Sequence, residues 1–273
     1  MRGEFVDVGD VRLYYYAAGT RGSGEPVVFV HGFPTSSHLW GRVVPLVPKG
    51  HRVLVVDLLG YGRSDRPGGA DLSIRGHADR LLRLLDLLGI NYAAIVGHDL
   101  GGAIGIDLAL RAPARVSRLC LVDTVAFDEW PGHEVRLARA TMPLTRYLPS
   151  SWIGSILRAD LLRGYVSNEV GIHSVDQFIR PFSDADGVAA LVAHLAALDA
   201  SETVAQAPRL KDIVAPTALV WGAEDPFLPA ELGRRLQAAI PGATLDVVPG
   251  ARHFVPEESP ERVADVLRTL LQR

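Results

Sequence analysis

The chain has 273 residues, 48% hydrophobic and 22% charged, with a formal net charge of −3. That is ample for a large core and somewhat more than one typical domain, and the absence of a basic excess argues against nucleic acid as a partner. The single cysteine, Cys120 in "RLCLVD", can form no internal disulfide and reads as a buried core thiol.

In chain order, "MRGEFVDVGD" holds no signal-peptide core, and apolar runs further on are broken by charges such as Asp57 before they reach membrane-spanning length. The expectation is a cytoplasmic protein without a membrane partner. "FVDVGDVRLYYY" alternates around Gly9-Asp10 and predicts a hairpin. "PVVFV" (26–30) and "RVLVVD" (52–57) read as buried strands, and leucines at helical spacing mark a helix over 74–89. "AAIVGH" (93–98) is a strand, 101–113 a helix and 117–123 a strand. Strands at 216–222 and 244–250 follow, with helices at 230–239 and 259–271. Apolar strands alternating with helices predict a mostly parallel sheet covered on both faces.

About 90 residues separate the strand ending at Asp123 from the one starting near Pro216, where a simple crossover needs roughly a dozen. They carry helical patterns of their own, at 151–163 and 185–200. We read 125–205 as a helical cap inserted after the sixth strand, above the carboxyl edge where open α/β sheets bind ligands. The core is then 1–124 with 206–273. The competing reading is an extra packing layer with no role at a site.

Four motifs carry chemistry, each at a strand end. "GHDLG" (97–101) has the layout of a nucleophile elbow, G-x-S-x-G, with Asp99 in place of serine. "VHGFPTSSHLW" (30–40) has the form of an oxyanion loop. "WGAEDPFLP" (221–229) places Asp225 as an acid, and "PGARHFVPEESPERV" (249–263) places His253 before the final helix. The order is nucleophile, acid, histidine. An aspartate is already ionised at neutral pH. Attack on an ester carbonyl would make it an anhydride, whereas attack on a tetrahedral carbon gives a stable alkyl ester. His253 would then activate water against that ester. The oxyanion would form on Asp99 itself, facing the backbone N–H groups of Phe33 and Leu100. Asp225 would orient His253 and stabilise its charged form. The alternatives are an inactive elbow in a small-molecule receptor, or a serine replaced by engineering. His31 and His98 read as loop-holding residues.

These motifs, with "DLLGYGRSDRP" (57–67), resemble the α/β-hydrolase fold over nearly the whole chain except the cap. The resemblance implies an eight-stranded, mostly parallel sheet with helices on both faces and an inserted helical cap. "GHDLGG" is similar to the elbow of epoxide hydrolases, haloalkane dehalogenases and fluoroacetate dehalogenases, all aspartate enzymes. Haloalkane dehalogenases clamp the halide with a tryptophan after the nucleophile and a tryptophan or asparagine after the HG pair. Leu100 and Phe33 stand there, and neither offers a side-chain N–H. Leu100 and Ala103 also replace the arginines by which fluoroacetate dehalogenases grip a carboxylate. Epoxide hydrolases match Phe33, and their cap tyrosines imply Tyr147 as proton donor, with His194 near the second position and Tyr165 as the next candidate. Trp130, in "DEWP", and Tyr165 are candidate substrate contacts, Trp130 also for a halide. The expected activity is epoxide hydrolysis of a small apolar electrophile with water and no cofactor or metal; a dehalogenase is the alternative. A homodimer is left open.

Overall fold

A computed structural model describes residues 3–19, 24–132, 135–137, 139–141 and 150–273. Among them, eight strands form one sheet: β1 (Glu4–Asp7), β2 (Arg12–Ala18), β3 (Val27–Val30), β4 (Val53–Val56), β5 (Ala93–Asp99), β6 (Val116–Thr124), β7 (Thr217–Gly222) and β8 (Thr244–Val248). Their order is β1-β2-β4-β3-β5-β6-β7-β8. β2 runs antiparallel to both β1 and β4, and every pairing from β4 to β8 is parallel. The expected hairpin turns at Gly9, whose φ of 105° suits a residue without Cβ.

The central strands are buried throughout because both faces are covered. Alternate residues go to opposite cores. Val28, Val30, Leu54, Val56, Ile95 and Leu121 pack on α1 (Ile74–Leu87), α2 (Leu100–Arg111) and α7 (Ala230–Ala239). Val27, Phe29, Val53, Val55, Val96, Cys120 and Val122 pack on α9 (Pro260–Leu271). Cys120 is fully buried in that second core, and burial pushes its thiol up to about 12, so it is no nucleophile.

Among the described residues, the α-helices between β6 and β7 include α3 (Ser150–Leu162), α4 (Asn168–Ile179), α5 (Ala185–Ala197) and α6 (Ser201–Gln206). α3 and α5 match the sequence expectation to within a few residues. α4 was not anticipated; "NEVGIHSVDQFI" interrupts its apolar face with Gly171 and polar residues, and its start is marked by Ser167, whose side chain accepts from the Val170 N–H. The run Ala185–Asp212 is long and apolar enough by length and composition to cross a membrane, contrary to the sequence expectation that no run reaches that length. It is not one continuous helix: the chain turns extended at Leu198, ψ 99°. α5 alone rises about 20 Å, short of the ~30 Å hydrocarbon layer.

Candidate active site

Four adjacent parallel strands, β5, β6, β7 and β8, deliver their carboxyl ends to one place. Asp99 ends β5 and opens α2, with φ 51° and ψ −118°. That left-handed conformation is costly for a residue with a Cβ. It is held by close packing on both sides. A Cβ on Gly101 would come within 2.3 Å of the Val30 carbonyl oxygen, and one on Gly32 within 2.3 Å of Asp99 Oδ1. The elbow therefore sits directly against the loop after β3, and the glycines are what allow the approach.

The carboxylate of Asp99 faces two backbone donors. Phe33 N–H donates to Oδ1 at 2.8 Å, and Leu100 N–H also bonds the carboxylate. Burial raises the Asp99 pKa, while His253 and those two N–H groups oppose the rise. The loop bearing Phe33 is fixed by His31. Leu58 N–H donates to His31 Nε2 at 2.9 Å, which leaves the proton on Nδ1 to donate to Gly32 O at 2.9 Å. Burial depresses His31, in keeping with this neutral tautomer.

His253 follows β8 and precedes α8 (Val255–Glu258). Its Nδ1–H donates to Asp225 Oδ2 at 2.8 Å, and both side chains are buried. Asp225 Oδ1 accepts from Phe227 N–H at 2.8 Å and Leu228 N–H at 3.0 Å, so the turn that follows through Pro226 holds the carboxylate. Burial works against charging His253, but Asp225, and more weakly Asp99, raise its pKa on balance. His98 Nε2 donates to the His253 carbonyl at 3.0 Å and its ring lies 4.6 Å from the His253 ring, bracing the histidine loop.

Asp99 and His253 open on a cavity of about 100 Å³ lined by Leu100, Phe33, Pro34, Val125, Trp130, Leu157, Leu161, Leu198, Phe227, Leu228 and Phe254. Among the described residues, the remaining charged group in the lining is Asp160 of α3, which pairs with Arg163 at 2.8 Å. Sequence reasoning missed it; inside "RADLL" it reads as an ordinary exposed position.

The other sequence candidates fall out differently. Trp130 lines the cavity, but its indole N–H donates to Thr203 Oγ1 at 2.7 Å and is committed to α6. Tyr165 does not line it: the hydroxyl donates to Glu257, and its ring stacks on Phe254 at 4.4 Å. His194 does not line it either. It sits 3.8 Å from the ring of Tyr61 and stacks with His77, with Nε2 against the Gly60 backbone and out of regular hydrogen-bonding geometry. Boundary position on α5 looked alike from sequence whether the ring faced the cavity or the loop after β4. Tyr147 lies outside the described residues.

A family model for the alpha/beta hydrolase fold matches residues 25–260. The chain belongs to the α/β-hydrolase fold family. This hydrolase is 28% identical over 276 residues to haloalkane dehalogenase 2 of Mycobacterium tuberculosis, covering 93% of this chain and 89% of that one. It is 28% identical over 271 residues to 2-hydroxy-6-oxononadienedioate/2-hydroxy-6-oxononatrienedioate hydrolase of Paraburkholderia xenovorans, covering 93% and 88%. Among solved structures, the enol-lactonase of Burkholderia xenovorans superposes with a TM-score of 0.84 at 26% identity, covering 99% of this chain and all of that one.

Proposed function

We propose that this hydrolase acts through a covalent alkyl ester on Asp99, with an epoxide as substrate and a vicinal diol as product. The observation that carries the reading is the placement of a carboxylate, not a hydroxyl, at the elbow, with Oδ1 already in contact with the Phe33 N–H. In the first step the other oxygen, Oδ2, attacks a tetrahedral carbon and the C–O bond of the strained ring breaks. In the second, His253 takes a proton from water, which adds to the Asp99 carbonyl carbon. The negative charge then develops on Oδ1, where the Phe33 N–H is in place before the reaction starts, with the Leu100 N–H also at the carboxylate. Collapse of that adduct releases the diol and restores the carboxylate. Asp225 stabilises the transient imidazolium.

The lining restricts the substrate. It is apolar apart from Asp99, His253 and Asp160, and no arginine or lysine lines it among the described residues. A carboxylate-bearing haloacid would enter against like charge without a counter-ion. The cavity volume suits a compact, neutral electrophile. Ring opening leaves an alkoxide that needs a proton, and Tyr147, outside the described residues, is our candidate donor. The second reading, carbon–halogen cleavage, is favoured by the similarity to haloalkane dehalogenase 2. Against it, Leu100 and Phe33 offer no side-chain N–H and Trp130 donates elsewhere, so among the described residues no pair of free side-chain N–H donors like a halide clamp lines the cavity.

The test uses His253→Gln. Alkylation needs no base, so intact-mass measurement after adding styrene oxide should show an adduct that maps to the peptide holding Asp99 and persists. Bromobutane assayed in parallel for bromide release separates the two substrate classes. A variant that never forms an adduct with any substrate turned over by the wild type would exclude the covalent route.

A further inference from the structure

The strand between the nucleophile and the acid carries a carboxyl group that the mechanism above does not use. Asp123, near the end of β6, is fully buried and adopts a left-handed backbone, φ 41°. Its Oδ1 accepts from the Gly222 N–H at 2.8 Å, at the end of β7 where the chain turns toward Asp225. Its Oδ2 meets no hydrogen-bond donor. The Asp123 carboxyl lies within hydrogen-bonding reach of the carboxylate of Asp225.

Two acceptors in contact inside a protein interior need a proton between them. Of the two, Asp225 already receives three donors: His253 Nδ1–H and the N–H groups of Phe227 and Leu228. Asp123 receives one, and no arginine, lysine or histidine pairs with it among the described residues. Asp99 adds a further negative charge nearby. Three ionised carboxylates around one imidazole would leave the pocket strongly negative and dry, which burial does not tolerate.

We propose that Asp123 is a positioning residue that carries a proton on Oδ2 and donates it to Asp225, so that the acid behind His253 is a carboxyl–carboxylate pair with a single negative charge. This rests on Asp225 being the partner of His253. Burial and the proximity of Asp225, opposed by the Gly222 N–H, hold the Asp123 carboxyl well above its ordinary range. The donated hydrogen bond fixes the rotation of the Asp225 carboxylate and occupies one of its lone pairs. Oδ2 of Asp225 is thereby kept aligned on Nδ1–H, and the free Nε2 lone pair of His253 stays available for water.

The proposal is tested by infrared spectroscopy and by step-resolved kinetics. Isotope-labelled aspartate should show the carbonyl stretch of a protonated carboxyl group in the wild type near neutral pH, and D123N should abolish it. D123L removes the donor. It should slow hydrolysis of the alkyl-enzyme roughly ten- to hundredfold, the weight of a hydrogen bond to a charged group, and leave alkylation of Asp99 unchanged. D123N restores an N–H donor toward Asp225 and an acceptor for Gly222, and should recover the hydrolysis step toward wild type. Absence of the band in wild type, or D123N hydrolysing as slowly as D123L, overturns the proposal. The infrared result needs no substrate and decides it even if D123L does not fold. An enzyme that never alkylates Asp99 would instead refute the proposed function and leave the band as it is.

Discussion

At Asp99 both the backbone and the carboxylate are tightly constrained. Its backbone strain and its neighbours are those of a packed strand-to-helix turn, so a change that leaves the side chain alone can still destroy the site. Gly32→Ala would place a methyl 2.3 Å from Asp99 Oδ1, deep inside van der Waals contact. The carboxylate must swing away from the Phe33 N–H, and we expect turnover to fall at least ~100-fold, the weight of one lost oxyanion donor. Steady-state kinetics on a folded variant checks it; near-normal turnover would mean that Phe33 is not a donor to the reacting carboxylate. At the same scale, Trp130→Phe loses the hydrogen bond to Thr203 and should lower stability by about 1 kcal/mol. If its indole gripped a leaving group instead, the loss would appear in bromide release from bromobutane with stability unchanged.

The inserted helices are tied to the sheet by a buried carboxyl group. Glu257, on α8 next to the histidine loop, accepts from the hydroxyls of Tyr165 and of Ser174 on α4, the latter at 2.8 Å. Burial lifts Glu257 from 4.5 to about 7, against the pull of Tyr165, Ser174 and Arg42. Because the folded pKa lies above the unfolded one, the protonated acid favours folding. Its contribution is full below pH 4.5 and falls as pH rises to about 7. Glu257→Gln should remove that decline, so the gap in thermal midpoint between variant and wild type should move in the variant's favour from pH 5 to 8. A constant gap across that range would show that Glu257 keeps an ordinary pKa. The strand ends, the sheet and two of the inserted helices were legible in the sequence because buried parallel strands and amphipathic helices leave periodic patterns. The direction of side chains at the helix boundary was not. His194, Tyr165 and Trp130 all sit where an amphipathic helix or loop turns inward, and only the packing partners, Tyr61, Glu257 and Thr203, decide that none points a free donor at Asp99. Asp123 was legible only as the end of a strand, because its partner is brought up by β7 about 100 residues later.

Across the whole molecule, buried neutral histidines set the acid limit. His194 is depressed from 6.5 to about 4 by burial, and burial also depresses His31, His77 and His98. Each binds its proton more readily when unfolded, so stability falls as pH drops below 6.5. For His194 that loss runs down to about pH 4 and is on the order of 3 kcal/mol. His194→Leu should flatten the fall in denaturant midpoint between pH 6.5 and 4 while leaving turnover near wild type, since the ring stands outside the cavity; a large loss of turnover would return it to the site. The same fold brings the ends of four strands together, and in the proposed reaction Asp99 is alkylated there and then hydrolysed at its own carbonyl carbon. A single turnover in heavy-oxygen water, with enzyme in excess over styrene oxide, measures this directly. The heavy oxygen should be retained in the Asp99 carboxylate, seen as a mass increase of that peptide, while the diol formed carries ordinary oxygen. Heavy oxygen found in the first-turnover diol, with Asp99 unlabelled, would mean that water attacks the substrate directly and would contradict the covalent route.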